Sequence, residues 1–192
     1  MSRTLTLGLL FAALPAFAQT NFPPLLPVTV SDLPAESIVY YNLTENRQVD
    51  TETATSDSDS WEVSFNGTSI AMNGEVRFVD QGFDDVTVAP SDGYVTPSDN
   101  KGALLPGGSG TGWYYYDMDV HIITPLANKT IVFKTKAGKY GKMEIISYYE
   151  GGIEGFGDPR YYTFRYAVQH NGSDNLVSDM CGPDSMECKV EQ

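Results

Sequence analysis

Apolar and polar residues alternate with a period of two along several segments of the chain. Trp61, Val63 and Phe65 alternate with polar neighbours, and residues 162–169 alternate even more regularly. A period of two is typical of a strand that has one buried and one exposed face. After residue 18 no segment has the 3.6-residue apolar stripe of an amphipathic helix. The pattern therefore predicts an all-β protein of mostly antiparallel strands and hairpins.

Composition and turn residues predict the remaining strands. Residues 130–136 and 140–149 are rich in β-branched and aromatic side chains, and Ala137-Gly138-Lys139 between them supplies a hairpin turn. Shorter strands are expected at residues 37–43, 69–72, 76–78, 113–116 and 121–123, with connections rich in Pro and Gly at 90–97, 106–112 and 151–159. We expect one all-β domain over residues 37–175, preceded by an irregular arm over residues 19–36.

The first 18 residues have the features of a secretory signal peptide. Arg3 gives a positive start, and residues 5–17 form an apolar run that is short for a membrane span. Ala16 and Ala18 are the small residues that a signal peptidase reads, which predicts cleavage before Gln19. The alternative is a buried N-terminal helix. Cleavage would leave 174 of the 192 residues, with no second apolar stretch long enough to span a membrane.

The two cysteines are interpreted through this predicted export. No Cys follows the signal directly, so a lipid anchor on an N-terminal cysteine is not expected, and we expect the protein in the periplasm, at the cell surface or outside the cell. In these oxidising locations Cys181 and Cys188 are predicted to form a structural disulfide within a C-terminal tail over residues 176–192. A redox or metal-binding pair is the alternative, although such pairs have closer spacing or additional His ligands.

The charge is strongly negative and unevenly distributed. The chain has 25 Asp and Glu against 12 Lys and Arg, a net charge of -13, which argues against binding to nucleic acid or to anionic membranes. Between residues 19 and 100 there are 14 acidic and two basic side chains. The polar run at residues 50–60 is expected to be a solvated loop. A weak calcium site is the alternative, but the run lacks the glycine around which calcium loops turn.

No catalytic motif is complete. The glycine-rich residues 106–112 lack the Lys and the helix of a phosphate-binding loop, and they miss the last glycine of a nucleophile elbow. The many acidic residues offer too many possible carboxylate pairs to single out a catalytic one. Asp117 and Asp119 flank Met118 at a strand end and are interpreted as part of a solvated face, which is the more common role of alternating acids. An enzyme is therefore not expected.

Several segments together resemble one protein family. They are Trp61-Glu62-Val63-Ser64-Phe65-Asn66, Pro90-Ser91-Asp92-Gly93-Tyr94, Gly112-Trp113-Tyr114-Tyr115-Tyr116, the hairpin over residues 129–145, and Tyr161-Tyr162-Thr163-Phe164-Arg165-Tyr166. Over residues 37–175 the chain resembles the HmuY family. The resemblance implies an all-β fold, export by Bacteroidetes-type bacteria, and haem binding by a hemophore. It also implies transfer of haem, for iron acquisition, to an outer-membrane receptor of the TonB-dependent type.

The same resemblance suggests ligands for the haem iron, which takes axial His or Met side chains. It places one ligand shortly after the Trp of the Gly-Trp segment, where Met118 stands, with His121 as the alternative. The segment expected to carry the other ligand, residues 95–112, has neither His nor Met. Met72 is a substitute that a strand position makes more suited to core packing.

Other interpretations of these residues stay open. Met118 could instead pack on Trp113 or Tyr116, His121 could be a half-exposed strand residue, and His170 is expected to be a surface residue in a turn. The alternative function is that of an exported β-rich interaction protein of the same fold that has lost haem ligation and binds a surface partner.

Overall fold

The structure is a computed structural model that describes residues 24–97, 103–152 and 155–178. Its strands are β1 (Val28–Pro34), β2 (Val39–Asn42), β3 (Arg47–Val49), β4 (Val63–Asn66), β5 (Ser69–Met72), β6 (Gly74–Val79), β7 (Ala103–Leu104), β8 (Tyr114–Asp117), β9 (Ile122–Pro125), β10 (Thr130–Thr135), β11 (Tyr140–Tyr149) and β12 (Pro159–Val168). One α-helix, α1 (Thr51–Ser56), and a 3₁₀ turn at Glu150–Gly152 complete the elements of the described residues. No helix within these ranges is long and apolar enough to cross a membrane.

The strands form two five-stranded sheets and one two-stranded sheet, and every strand pair is antiparallel. The orders are β1-β12-β11-β10-β6, β3-β2-β4-β5-β7 and β8-β9. The larger sheets face each other across an aromatic core, in which the ring of Phe65 lies 4.6 Å from that of Tyr162 and 5.2 Å from that of Phe164. These rings alternate with less buried residues along β12. The predicted all-β, antiparallel fold is confirmed.

The predicted hairpin around Ala137-Gly138-Lys139 joins β10 and β11, and Lys134 pairs with Tyr140 across it. Gly141, on the second strand, lies under the ring of Phe133. A Cβ atom at this position would stand 2.2 Å from the ring carbon Cζ. The core therefore requires a glycine here.

The arm over residues 19–36 is not irregular throughout, and that prediction is wrong for residues 28–34. These residues form β1, which pairs with β12 between Val28 and Tyr166 and between Leu33 and Tyr162. Val28 and Val30 alternate with polar residues, and Pro34 is tolerated because an edge strand does not need every N–H. Residues 19–23 lie outside the described ranges.

The folded part also extends past residue 175, where the C-terminal tail was predicted to begin. Leu176 is fully buried, and its N–H donates to the carbonyl oxygen of Thr87 at 2.8 Å. Ser178 is hydrogen-bonded to a side chain of β11. Cys181 and Cys188 lie outside the described residues, as does the signal peptide, so the disulfide and the cleavage site stay predictions.

A short helix replaces part of the loop predicted at residues 50–60. In α1, the side chain of Asp50 accepts a hydrogen bond from the N–H of Thr53 at 2.8 Å and so caps the helix. Ala54 is the buried residue of α1. A six-residue helix with one buried side chain has no apolar stripe, which explains why periodicity did not predict it.

Lys142, on β11, is a fully buried cation that joins distant segments. Its Nζ donates to the carbonyl oxygens of Phe83 at 2.7 Å and Val86 at 2.9 Å, and to Oγ of Ser178 at 3.0 Å. The ammonium also lies 4.5 Å from the centre of the Phe83 ring. Burial lowers the pKa of Lys142 to about 8. This side chain therefore holds the loop after β6 and the C-terminal segment against the sheet.

Candidate functional site

The two residues suggested as iron ligands lie together in the turn between β8 and β9. We call this two-stranded unit the site hairpin and its residues 118–121 the site turn. Asp117 pairs with Ile122 at the base of the turn. Its Oδ1 accepts hydrogen bonds from the N–H groups of Asp119 at 2.9 Å and Val120 at 3.3 Å. A carboxylate thus fixes the backbone of the turn, which is a common role for Asp.

His121 ends the site turn and is not part of a strand, contrary to the prediction of a strand over residues 121–123. Its φ angle is 59°, in the left-handed region that strands do not use, and β9 begins one residue later. The His121 side chain is exposed.

Tyr116 lies across the hairpin from this imidazole. Its hydroxyl is 2.6 Å from Nδ1 of His121, a hydrogen bond in which either group can act as the donor. When Nδ1 carries the proton and donates to the hydroxyl oxygen, Nε2 keeps its lone pair and can bind a metal. Histidines that bind metals usually have such a partner on the other ring nitrogen. Sequence reasoning did not identify this role of Tyr116, although residues five apart across a tight turn are close neighbours.

Met118 does not pack on Trp113 or Tyr116 as a buried side chain would. It is 75% exposed, and Val120 beside it is 59% exposed. Trp113 is itself buried, and its Nε1 donates to the carbonyl oxygen of Thr68 at 2.8 Å. The site turn therefore offers two apolar side chains to solvent on a fixed backbone.

A third exposed apolar residue, Phe156, directly follows a glycine that packs on the site hairpin. Gly155 approaches Ile122 of β9 so closely that a Cβ atom there would stand 2.7 Å from its Cδ1. The next residue, Phe156, is 89% exposed. Clusters of exposed apolar side chains on a folded protein commonly mark binding surfaces. The sequence carries a signal for this residue, since Phe156 is a lone aromatic between two glycines.

Contacts on both sides hold the site hairpin in place. The glycine-rich residues 106–112 lie along β8, where the N–H of Gly110 donates to the carbonyl oxygen of Tyr114 at 2.8 Å and Oγ of Ser109 accepts from the N–H of Tyr116 at 2.7 Å. On the other side, the N–H of Ile123 donates to the hydroxyl of Tyr149 at 2.9 Å. The glycine-rich segment therefore supports the hairpin.

Three acidic side chains lie near Tyr161 of β12, and Arg160 beside it acts with opposite sign on the pKa of Tyr148. Glu150 is the main cause of the raised pKa of Tyr161 on β12, with smaller contributions from burial, Glu36 and Asp158.

Within the described ranges, no group of three or more His, Cys, Asp or Glu side chains is arranged to hold a metal ion.

The other residues considered from sequence lie elsewhere. Met72 is a buried core residue of β5, in agreement with the core-packing interpretation. His170 is exposed in the turn after β12. Of the segment expected to carry the other ligand, residues 98–102 lie outside the described ranges.

No family model matches the sequence, and no curated protein matches it significantly. Solved structures do match the fold. An apo HmuY analog from Tannerella forsythia has 15% sequence identity and a TM-score of 0.50, covering 76% of this chain and 95% of its own. Apo PinO from Porphyromonas gingivitis, at 13% identity, has a TM-score of 0.48 and coverages of 77% and 98%. A protein from Bacteroides vulgatus named as HmuY-like and heme-binding has 14% identity, a TM-score of 0.46 and coverages of 73% and 89%. The resemblance found in the sequence is thus confirmed at the level of architecture: the chain has the all-β fold of the HmuY-like proteins.

Proposed function

We propose that this protein is an exported, non-enzymatic hemophore-like protein that binds haem or a related porphyrin at the site turn. The observation that carries the proposal is the hydrogen bond between Tyr116 and Nδ1 of His121, because it orients an exposed imidazole and can leave its Nε2 free. The exposed Met118 is a second candidate ligand three residues away. The resemblance of the sequence to a haem-binding family points to the same ligand.

The donor set fits an iron porphyrin. Imidazole nitrogen and thioether sulfur are both axial ligands of haem iron, and an exposed aromatic such as Phe156 can pack on a porphyrin face. A bound haem would supply iron as cargo for uptake. Met118 and His121 lie three residues apart in the same short turn, so they would hold the iron as alternatives. We therefore propose that Met118 or His121 ligates, but not both at once.

A titration of the mature protein with haemin tests this proposal. A sharpened Soret band with 1:1 saturation is expected. Of the single variants Met118→Ala and His121→Ala, the one that removes the ligand should change the band or lower the affinity, and the double variant should lose the band. His170→Ala is the matched control, because His170 is exposed and lies at the far end of β12. An unchanged titration in the double variant would reject the site.

A second candidate function is supported by the acidic side chains near Tyr161. Haem carries two carboxylates, which Glu150, Asp158 and Glu36 would repel, whereas a basic protein partner would be attracted. In this alternative the protein has kept the fold, has lost haem ligation and binds a partner through the same exposed apolar side chains. The haemin titration would then show no saturable binding, and association with the partner would weaken as salt is raised.

Two further steps belong to the proposal. Export through the signal peptide at residues 1–18 would place the protein outside the cytoplasm, and delivery of haem would require an outer-membrane receptor of the TonB-dependent type. N-terminal sequencing of the exported protein tests the first step, with Gln19 expected at the start. Haem-dependent co-purification with such a receptor tests the second.

A further inference from the structure

A cavity of about 610 Å³ opens at the end of the molecule opposite the site hairpin. β12 begins at Pro159, which pairs with Tyr149 near the hairpin, and it ends at Val168, which lines the cavity. A ten-residue strand spans about 30 Å. The cavity is therefore separate from the proposed haem site.

The cavity lies between the two large sheets where they part. Leu43 from the turn after β2 lines one side, and Val28 of β1 with Tyr166 of β12 lines the other. Leu43 and Tyr166 are core residues that are almost fully buried, so the floor is rigid and apolar. A volume of about 300–1,000 Å³ with a mainly apolar lining is typical of small-molecule sites.

The lining, as far as the structure describes it, contains no Asp, Glu, Lys or Arg, and His170 is its one imidazole. This is unusual in a chain with 37 such residues, and it has a consequence for the ligand. A charged group placed here would give up hydration and would meet no Asp, Glu, Lys or Arg side chain, which disfavours its binding. The cavity therefore favours a neutral ligand.

Asn46 supplies a fixed polar group in this lining. Its Oδ1 accepts hydrogen bonds from the hydroxyls of Tyr41 at 2.7 Å and Tyr166 at 3.0 Å. With both lone pairs of this oxygen used, the amide Nδ2 remains as a donor. A ligand that carries a hydrogen-bond acceptor would match it.

At the rim, Leu26 is 65% exposed. An apolar ligand that projects from the cavity would cover this side chain.

We propose that this cavity binds a small neutral molecule with a mainly apolar body and one hydrogen-bond acceptor. The proposal stands independently of the haem proposal, since it uses other residues at the other end of the molecule. The competing occupant is the protein's own segment 19–23, which precedes the lining residue Pro24 in sequence.

Nile red, a neutral apolar dye with a carbonyl acceptor, is a suitable probe for the full mature chain. Saturable 1:1 fluorescence enhancement is expected. Leu26→Trp should weaken binding at least about tenfold by filling the mouth, and because Leu26 is exposed the core is undisturbed. Val88→Trp, at an exposed position outside the lining, is the matched control and should bind as the unchanged protein does.

Asn46→Asp tests the polar group separately. Asp keeps an acceptor for both tyrosines and tolerates the positive φ of 52° at this position, but it removes the amide donor and adds a charge. We expect binding to weaken at least about fivefold, the equivalent of one lost hydrogen bond. Circular dichroism confirms that each variant is folded.

Four outcomes would overturn the proposal. They are the absence of saturable binding, equal affinity in Leu26→Trp and the unchanged protein, displacement of the dye by one equivalent of haemin, and binding that appears only in a chain starting at Pro24. The last result would mean that residues 19–23 fill the cavity. Haemin binding at the site turn, whether it succeeds or fails, does not alter these outcomes.

Discussion

The hydroxyl oxygen of Tyr149 accepts a hydrogen bond from the backbone N–H of Ile123 at 2.9 Å. Tyr149 is the last residue of β11, and Ile123 lies in β9, so this bond joins a five-stranded sheet to the site hairpin. The strand partner of β9 is β8, and an isolated two-stranded unit is marginally stable in water. The positions of Met118 and His121 therefore depend partly on this tyrosine.

Tyr149→Phe should loosen the site hairpin. The change removes an acceptor and leaves the N–H of Ile123 without its partner, which costs about 1–3 kcal/mol. Hydrogen exchange is expected to accelerate at β8 and β9 more than at β10 to β12. Tyr115→Phe is the control, because its side chain is 53% exposed on the same hairpin. Equal exchange in the two variants would show that the hydrogen bond does not hold the hairpin.

Tyr116→Phe should weaken haemin binding if His121 ligates the iron. Loss of the hydroxyl leaves Nδ1 of His121 without the partner that fixes its tautomer, and such losses typically reduce metal affinity about 10–100-fold. Haemin titration measures the effect, again with Tyr115→Phe as control. If His121→Ala lowers the affinity but Tyr116→Phe does not, Tyr116 has no positioning role.

Gly141→Ala should destabilise the whole fold. The added methyl group would stand 2.2 Å from Cζ of Phe133 and 2.8 Å from the carbonyl oxygen of Ala167, and neither the buried ring nor the strand backbone has room to move. We expect the free energy of unfolding in urea to fall by about 1–3 kcal/mol or more. Gly107→Ala is the control, since nothing lies within 4 Å of a Cβ atom there. A loss in the control as large as that in Gly141→Ala would contradict this explanation.

Lys142 should make stability rise with pH between about pH 8 and pH 10. Burial lowers its pKa in the folded protein to about 8 from the ordinary 10.5, so in this range the unfolded chain binds more protons than the folded one. Stability from this group is therefore fully present above pH 10.5 and is lost as the pH falls through 8. The expected gain from pH 8 to pH 10 is about 2 kcal/mol.

Burial raises the pKa values of Tyr162 and Tyr166, so these two tyrosines make stability fall as the pH rises above 10. The contribution of Lys142 is therefore best measured below pH 10. Urea unfolding of the unchanged protein and of Lys142→Met, measured at several pH values, isolates the contribution of Lys142. The variant should be less dependent on pH across this interval. If the free energy of unfolding changes equally with pH in both proteins, Lys142 is not the group that causes the pH dependence.

Most strands could be predicted because their buried and exposed residues alternate locally. Ser69–Met72 and Tyr140–Tyr149 begin and end as predicted from the sequence. β1 was missed because its alternation is interrupted by a bulge between Val30 and Leu33, and its partner strand lies more than 120 residues away. Long-range pairing of this kind leaves little local signal.

The candidate site was predictable in part. The sequence placed Met118 and His121 in one segment, and they share one turn. The left-handed backbone of His121 and its contact with Tyr116 arise from the tightness of the turn. No residue type in this segment predicts such a tight turn. Phe156 lies next to a residue that contacts the site hairpin, because Gly155 packs on Ile122 from a segment that is distant along the chain.

The first and last described segments meet: the N–H of Leu25 donates to the carbonyl oxygen of Val177 at 2.7 Å, and Leu25 is bridged to Ser178. Both segments lie at the end of β12 that is remote from the site hairpin. Immobilising the protein on a sensor surface by an affinity tag at either terminus should therefore leave the site turn facing the solution. Either attachment should give the same haemin binding curve.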